Sequence, residues 1–228
     1  MATYYNPRIV TNGLVLCLDA ANTKSYPSTG TTWTDLSGNG NNGTLLNGPT
    51  FSSANGGSIV YDGTNDGVRV TLPSTTSSYN TFTYNAWIRI GSSGTGFIYR
   101  TIIDQDNDTL FFGTLVLGTP NSHTLVSYDP TWSTNYTLNI NQWYNVALSH
   151  INGQPLLFYV NGVLVSTSPN ATTNHTTTYF GIGSGFPDAN TTNESWIGNI
   201  AQASIYNRAL SAAEIQQNFN ALRGRYGL

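Results

Sequence analysis

The stretch FTYNAWIRI, residues Phe82–Ile90, alternates in character along its whole length. A β-strand places successive side chains on opposite faces, so this period of two predicts a strand with one buried face. The face predicted to be buried carries Phe82, Tyr84, Ala86, Ile88 and Ile90. The opposite face carries Thr83, Asn85, Trp87 and Arg89.

A second region, from Trp143 to Thr167, predicts a three-stranded antiparallel meander. Apolar strands are expected at 143–151, 156–160 and 163–166, separated by the pairs Asn152-Gly153 and Asn161-Gly162. An Asn-Gly pair supplies the two positive φ angles that a type I′ hairpin turn requires. The second pair is tightly flanked by apolar residues, and it is the stronger of the two hairpin signals.

Short apolar runs recur along the rest of the chain between clusters of Gly, Asn, Ser and Pro. About a dozen strands in one chain favour two large packed sheets. We therefore predict an all-β fold, a two-sheet antiparallel jelly-roll sandwich with one short C-terminal helix. The further strands are expected at 13–18, 58–61, 67–70, 97–103, 110–117, 124–128, 179–182 and 197–206.

The composition of the 228 residues agrees with a β-rich fold and excludes several classes of function. Charged residues make up 8%, against roughly 25% in an ordinary soluble domain, while Thr, Asn and Ser number 32, 27 and 21. The net charge of −3 and the lack of a basic run argue against nucleic-acid binding. No apolar run is long enough for membrane insertion. The lone cysteine, Cys17, excludes an internal disulfide and is expected to be buried.

One helix is predicted near the C-terminus. Ser211 followed three residues later by Glu214 matches a capping box, in which each side chain bonds the other residue's backbone. Ile215, Phe219 and Leu222 then recur with the spacing of one helical face. Glu214 is therefore interpreted as a capping residue rather than as a catalytic acid.

A series of motifs resembles, in family order, the laminin-G-like members of the concanavalin A-like lectin/glucanase superfamily. The resemblance covers nearly the whole chain. It implies a domain at residues 13–228 preceded by an N-terminal arm at residues 1–12. The matching motifs are GLVLCLDAANTKSY, WTDLSGNGNNGTL, SIVYDGTNDGVRV, FTYNAWIRI, WYNVALSHINGQPLLFYVNGVLV and GNIAQASIYNRALSAAEIQQNF.

The resemblance implies a non-enzymatic module of a virion surface. With its ending Ile205–Leu210 and no N-terminal signal pattern, the chain looks like domains of phage structural proteins. Such a capsid decoration, head fibre or tail fibre protein would dock on a capsid or tail structural protein, as a monomer or a homo-oligomer, and would bind host-surface glycans. The alternative is a free carbohydrate-binding lectin, located extracellularly and calcium-dependent or not.

Glycoside hydrolases of this fold carry a Glu-x-Asp-x-Glu strand motif, or close variants, which this sequence lacks. Their chemistry needs two carboxyl groups roughly 5 to 9 Å apart. One pair remains as a candidate for such catalytic carboxyl groups, Glu194 with Asp188, and a turn-like segment separates the two residues. We therefore expect no enzymatic activity.

Two groups of acidic residues receive different interpretations. Asp104, Asp106, Asn107 and Asp108 concentrate oxygen ligands of the kind that calcium prefers. The same residues are equally typical of a polar hairpin turn, so calcium and a simple turn both stay open. Asp35, Asp62 and Asp66 match family motifs in which the carboxylate holds a turn through backbone hydrogen bonds.

The candidates for glycan binding are three aromatic residues in the segment SYDPTWSTNYTL, which is interpreted as a loop: Tyr128, Trp132 and Tyr136. Loops on a rigid sandwich are common positions for binding residues. Packing beneath the loop is the alternative role for Trp132. In the N-terminal arm, Tyr4, Tyr5 and Pro7 would either dock on a neighbouring protein or cover the sandwich.

Overall fold

The computed structural model describes residues 7–72, 77–78, 80–92, 97–105, 110–117, 122–128, 132–173, 176–185 and 194–228. One α-helix, α1, spans Ala212–Leu222, and 3₁₀ turns span Ala54–Gly56 and Arg223–Tyr226. Within the described residues the strands are β1 Leu14–Asp19, β2 Thr32–Trp33, β3 Gly43–Leu46, β4 Thr50–Ser52, β5 Ser58–Asp62, β6 Gly67–Thr71, β7 Ser77–Ser78, β8 Phe82–Ile90, β9 Phe97–Gln105, β10 Leu110–Leu117, β11 His123–Tyr128, β12 Trp132–Leu138, β13 Trp143–His150, β14 Pro155–Val160, β15 Val163–Asn170, β16 Thr176–Thr177, β17 Tyr179–Ile182 and β18 Ile197–Tyr206.

Sixteen of these strands form two large antiparallel sheets packed face to face, and β7 pairs with β16 in a separate two-stranded sheet. The first sheet has the order β15-β14-β13-β8-β18-β5-β4, and β1 pairs with β18 beside it. The second sheet has the order β12-β11-β10-β9-β17-β6-β3-β2. The predicted all-β sandwich with one short C-terminal helix is confirmed.

The core lies between the two sheets. The face of β8 that the sequence predicts to be buried, Phe82 to Ile90 at every second residue, belongs entirely to this core. Phe112 and Phe180 meet it from the second sheet, and all these side chains have no exposed surface. Replacing such a buried ring by alanine typically costs about 3 to 5 kcal/mol of stability.

Helix α1 and the turn after it cover part of the outer face of the first sheet. Trp87 stacks on Phe219 and on Tyr226, with ring centroids 5.7 and 4.1 Å apart, and Trp143 lies 4.6 Å from Tyr226. Trp87 is thus fully buried beneath the helical segment rather than between the sheets. The apolar face predicted for the helix packs against the sheet through Ile215 and Phe219.

The predicted capping box is present at the start of α1. The Glu214 backbone N–H donates to Ser211 Oγ (3.3 Å), and the Ser211 backbone N–H donates to Glu214 Oε2 (2.9 Å). Arg208 adds two hydrogen bonds to the same carboxylate, at 2.6 and 3.0 Å. The bonds from Arg208, followed by that from the Ser211 backbone, lower the pKa of Glu214 to about 2.

The described part of the N-terminal arm lies against the helix. The Val10 N–H donates to Asn218 Oδ1 (2.8 Å), Tyr206 Oη donates to the Val10 carbonyl (3.0 Å), and Gln217 Nε2 donates to the Arg8 carbonyl (2.8 Å). From residue 8 onward the arm therefore covers the domain. Pro7 is exposed at its start, and Tyr4 and Tyr5 lie outside the described residues.

Cys17 is buried on β1, as expected. Burial, followed by the nearby Asp19 carboxylate, raises the pKa of its thiol to about 12, so the thiol stays protonated at neutral pH. Among the helices of the described residues, none has the length and apolar character required to span a bilayer.

The capping box yields a stability prediction. Replacing Ser211 by alanine should lower the free energy of unfolding by about 1 kcal/mol, because it removes the cap of one backbone N–H at the helix start. Urea unfolding at neutral pH measures the change. Q216A, at an exposed position of the same helix, is the control and should leave stability nearly unchanged. Equal effects of the two variants would contradict a specific role for the cap.

Candidate functional site

One row of side chains crosses the outer face of the second sheet. Tyr128 on β11 pairs with Phe111 on β10, Phe111 with Asp104 on β9, Asp104 with Gly181 on β17, and Gly181 with Arg69 on β6. Residues paired across antiparallel strands lie on the same face. The flanking residues of β10 point into the core, so this cross-sheet row faces outward.

Aromatic residues cluster at the β11 end of the row. Phe111 packs with Leu115, Val126 and Tyr99 in a small cluster separate from the main core. The rings of Tyr99 and Phe111 meet edge to face, with centroids 5.6 Å apart and an interplanar angle of 79°. This cluster fixes the position of the Phe111 ring.

Gly113 lets the Phe111 ring lie close to the sheet. A Cβ atom at residue 113 would fall 2.4 Å from Phe111 Cζ and 2.1 Å from the backbone oxygen of Arg100. Both distances are too short for any side chain. The row therefore depends on glycine at this position of β10.

Tyr128, at the end of the row beside this cluster, is an accessible ring. Its exposed fraction is 47%, against 2% for Phe111, its partner across the strands. Because Tyr128 ends strand β11 and pairs in register with a buried ring, its backbone is fixed while much of its side chain meets solvent. This combination suits a contact surface.

Glu194 lies beside these rings. The Thr101 N–H donates to the Glu194 carbonyl (2.9 Å), and Arg100 Nη1 donates to the Ser195 carbonyl (2.7 Å). These bonds hold the segment along strand β9. Burial, followed by the neighbouring Tyr128 phenol and the Glu194 carboxylate, raises the pKa of the Tyr99 hydroxyl.

At the other end of the row, the Arg69 guanidinium lies over the ring of Tyr179, 3.9 Å from its centroid. Tyr179 is itself buried. The face thus combines aromatic rings, phenolic hydroxyls and a carboxylate on strands that are held on both sides. Such groups can stack on an apolar face of a ligand and form hydrogen bonds with hydroxyls.

The segment predicted to be a loop around the aromatic candidates is largely a strand. Residues 132–138 form β12, the edge strand of the second sheet, and Tyr128 ends β11. The loop interpretation was wrong because Ser, Thr and Asn are common both in loops and on exposed edge strands, where β-branched Thr fits well.

Trp132 packs on the core side of this edge strand. It pairs with Ser127, which is buried, and its ring lies against the main core. Its Nε1–H donates to Ser166 Oγ on β15 (3.3 Å), which joins the edges of the two sheets. The position of Trp132 suits the packing role better than it suits an exposed binding surface. Tyr136 on the same strand is 36% exposed.

Asp104 belongs to strand β9 rather than to a turn. It is fully buried on the outer face, and the adjacent Gln105 turns inward, where its Nε2 donates to Tyr84 Oη. The strand therefore continues two residues beyond the predicted end. The other calcium candidates, Asp106, Asn107 and Asp108, lie outside the described residues.

In the part of the chain that the structure describes, no three His, Cys, Asp or Glu side chains are grouped closely enough to hold a metal ion. Asp35, Asp62 and Asp66 bond the backbone instead. Asp35 Oδ1 accepts from the N–H groups of Cys17 and Ser37, both at 2.9 Å. Asp66 Oδ2 accepts from the Asp62 N–H (3.0 Å), and Asp62 Oδ1 accepts from the Thr64 N–H (2.7 Å).

Comparison with known proteins places this fold in a family. A laminin G-type family model, described as the concanavalin A-like lectin/glucanases superfamily, matches residues 62–216. The chain belongs to the concanavalin A-like lectin/glucanase superfamily. The match covers more than half of the chain and includes the strands that carry the cross-sheet row.

Solved structures with a similar fold align with the chain at low sequence identity. Domain 4 of AbnA, a GH43 extracellular arabinanase from Geobacillus stearothermophilus solved with arabinotriose, aligns with a TM-score of 0.65 and 18% identity, over 94% of this chain and 99% of its own. A structure of botulinum neurotoxin type C aligns with a TM-score of 0.67 and 17% identity, over 93% of this chain and 52% of its own. Cell entry of that toxin depends on interaction with two ganglioside molecules.

A botulinum neurotoxin DC binding domain, solved with rat synaptotagmin II, gives a TM-score of 0.67 and 16% identity, with the same coverage of 93% and 52%. The chain thus spans about half the length of the toxin domains that it resembles. Among curated proteins, the comparison finds no match.

Sequence reasoning placed one member of the candidate site, Tyr128, and missed Phe111 and Tyr99. Both were predicted to lie in strands, but the sequence did not show which face of its sheet each one occupies. The missing information was which strands are neighbours. Glu194 was considered only as a catalytic residue with Asp188, and Asp188 lies outside the described residues.

The position of Trp132 can be tested directly. W132F keeps an aromatic ring in the core but removes the hydrogen bond to Ser166, so it should lower the free energy of unfolding by about 1 kcal/mol. Thermal or urea unfolding measures this change, and S166A should produce a loss of similar size. In the double variant the two losses should not add, because both remove one bond. Additive losses would exclude the bond as their cause.

Proposed function

We propose that this superfamily member is a non-catalytic glycan-binding module, and that its binding surface is the Tyr128 end of the cross-sheet row. The observation that carries the proposal is the half-exposed Tyr128 ring, fixed in register beside the buried Phe111 ring. The Glu194 carboxylate lies near the same rings and adds negative charge at this end of the row.

A binding role also has support among the neighbours. The arabinanase domain, solved with arabinotriose, is aligned over nearly its whole length. The toxin structures described with gangliosides or synaptotagmin are about twice as long as the aligned part, so their binding supports this proposal less directly.

The proposal involves no catalytic step. The carboxylate of Glu214 is engaged by Arg208 and by the helix cap. Glu194 sits beside the phenolic ring of Tyr99, and its Oε2 is buried. A single shallow aromatic site gives weak affinity, and presentation of many copies would raise the overall avidity.

We further propose the setting predicted from the motifs, the surface of a virion. The support is the resemblance of the whole motif series, including the ending Ile205–Leu210, to domains of phage structural proteins. In that setting one surface docks on a capsid or tail structural protein, and the Tyr128 face meets glycans of the host surface. A free extracellular lectin is the alternative, and calcium is a cofactor to be tested in either case.

A glycan array that includes arabinotriose tests the binding proposal, run once in calcium and once in EDTA. For a glycan that binds, Y128A should weaken affinity roughly two- to tenfold, since an aromatic contact contributes about 0.5 to 1.5 kcal/mol. L164A, on the exposed edge strand β15 of the other sheet, is the control. Loss of binding in EDTA would establish a metal requirement. Silence on the array, or equal binding by Y128A, would overturn the proposed site.

Particle composition tests the virion setting. If the chain is a virion part, it should co-sediment with purified particles at a fixed ratio to the major capsid protein, and quantitative mass spectrometry of gradient fractions measures that ratio. Recovery in the soluble fraction alone would favour the free lectin. This outcome is independent of whether the Tyr128 face binds glycans.

A further inference from the structure

A second row of side chains crosses the outer face of the first sheet, on the opposite side of the sandwich. Trp143 on β13 pairs with Arg89 on β8, Arg89 with Asn199 on β18, and Asn199 with Val60 on β5. The residues flanking Arg89, Ile88 and Ile90, lie in the core. The row therefore faces outward, and we call it the Arg89 row.

Hydrogen bonds across three strands orient the Arg89 guanidinium. Its Nη1 donates to Asn199 Oδ1 (3.4 Å), and Asn199 Nδ2 donates to Ser58 Oγ on β5 (3.0 Å). Asn199 is only 9% exposed, while Arg89 is partly exposed. The guanidinium is thus held by a buried amide and still reaches solvent.

The bonding of Arg89 differs from that of the two arginines that form ion pairs. Arg208 and Arg225 form ion pairs with Glu214 and Asp19, at 2.6 and 2.8 Å. Among the described residues, the protein group that bonds Arg89 is the neutral amide of Asn199. A guanidinium has five N–H donors in a planar fork, and the bond to Asn199 uses one of them.

The positive charge of Arg89 on this row favours an anion. Arg223 and Arg225 lie on the 3₁₀ turn that follows α1, and Arg225 is the one paired with Asp19. Asp62 is exposed on the same face of β5, two residues from Val60, and its Oδ1 is engaged by the Thr64 N–H.

Trp143 gives the row a fixed aromatic surface. Its Nε1–H donates to Asn55 Oδ1 (3.1 Å), and Asn55 Nδ2 donates to the Arg225 carbonyl (3.1 Å). The ring packs against Tyr226 and remains partly exposed. An aromatic ring that is held in place and partly exposed can stack on one face of a pyranose.

We propose that the Arg89 row is a second ligand site, which binds a sugar that carries a carboxylate, such as a uronic or sialic acid. The carboxylate takes both arms of the Arg89 fork, the bidentate geometry that arginine favours. The sugar ring stacks on Trp143. This site shares no residue with the Tyr128 face, so the two proposals stand or fall separately.

NMR titration of the full chain tests this site. Sodium glucuronate and N-acetylneuraminate are the probes, methyl glucoside is the neutral control, and N-acetylglycine is a carboxylate without a sugar. Sugar acids should shift the Trp143 indole N–H and the Arg89 Nε–H signals, and raised salt should weaken the effect because the contact is partly exposed and ionic. Methyl glucoside should bind about tenfold more weakly, because it lacks the charged bonds.

Variants separate the site from nonspecific charge effects. R89Q should lower the affinity for glucuronate about tenfold, and R89K should only partly restore it because lysine lacks the planar fork. R8Q, which removes an exposed arginine of the N-terminal arm, and Y128A should bind glucuronate like the natural chain. No shift with either sugar acid, or equal binding by R89Q, would overturn the site. Equal binding of methyl glucoside would overturn the role of the carboxylate, and equal binding of N-acetylglycine would overturn the assignment to sugars.

Discussion

The alternation of side chains along paired strands is the constraint on which the whole structure depends. Strand β8 lies between β13 and β18 in the middle of the first sheet, and its pleat sends Ile88 inward and Arg89 outward. A slip of one residue would move Arg89 into the core and the isoleucines into solvent. Since an unpaired buried charge is very costly, the register of the first sheet is strongly specified.

The same alternation produces two different outer faces. On the first sheet, Trp87 directs its ring outward and needs a cover, which Phe219 and Tyr226 provide. The helical segment is therefore part of the folding of that sheet. On the second sheet the outward rings of Phe111 and Tyr99 cover each other instead. Both candidate sites lie on paired strands, where side chains are held more precisely than on loops.

The local structure could largely be predicted from the sequence, whereas the assembly of the site could not. The bounds of β8, β10, β17 and β18 follow from apolar alternation and turn residues, as does the capping box at Ser211. Strand β12 was missed because polar residues on an edge strand leave no apolar period. Asp104 was assigned to a turn because Asp is typical of turns, although here it lies in a ladder with Gly181.

The pairing of Asp104 with Gly181 shows why the assembly of the site could not be predicted from the sequence. Strands β9 and β17 are paired although more than seventy residues separate Asp104 from Gly181 in the chain. A single sequence does not reveal such long-range pairing, because each strand has the same apolar alternation as many others. Tyr128 could be found because aromatic residues among polar ones stand out locally. Its neighbours Phe111 and Tyr99 can be assigned to the site only when the order of the strands in the sheet is known.

The scarcity of charge determines how such a molecule can recognise a ligand. With 8% charged residues and two arginines neutralised at the ends of the helical segment, little long-range field remains to attract a partner. Recognition at the Tyr128 ring must then rely on short-range stacking and hydrogen bonds, which depend little on salt. A contact with the Arg89 guanidinium would respond more strongly to ionic strength, because exposed charge pairs are screened by salt. Salt sensitivity therefore distinguishes the two faces physically, whichever ligands they meet.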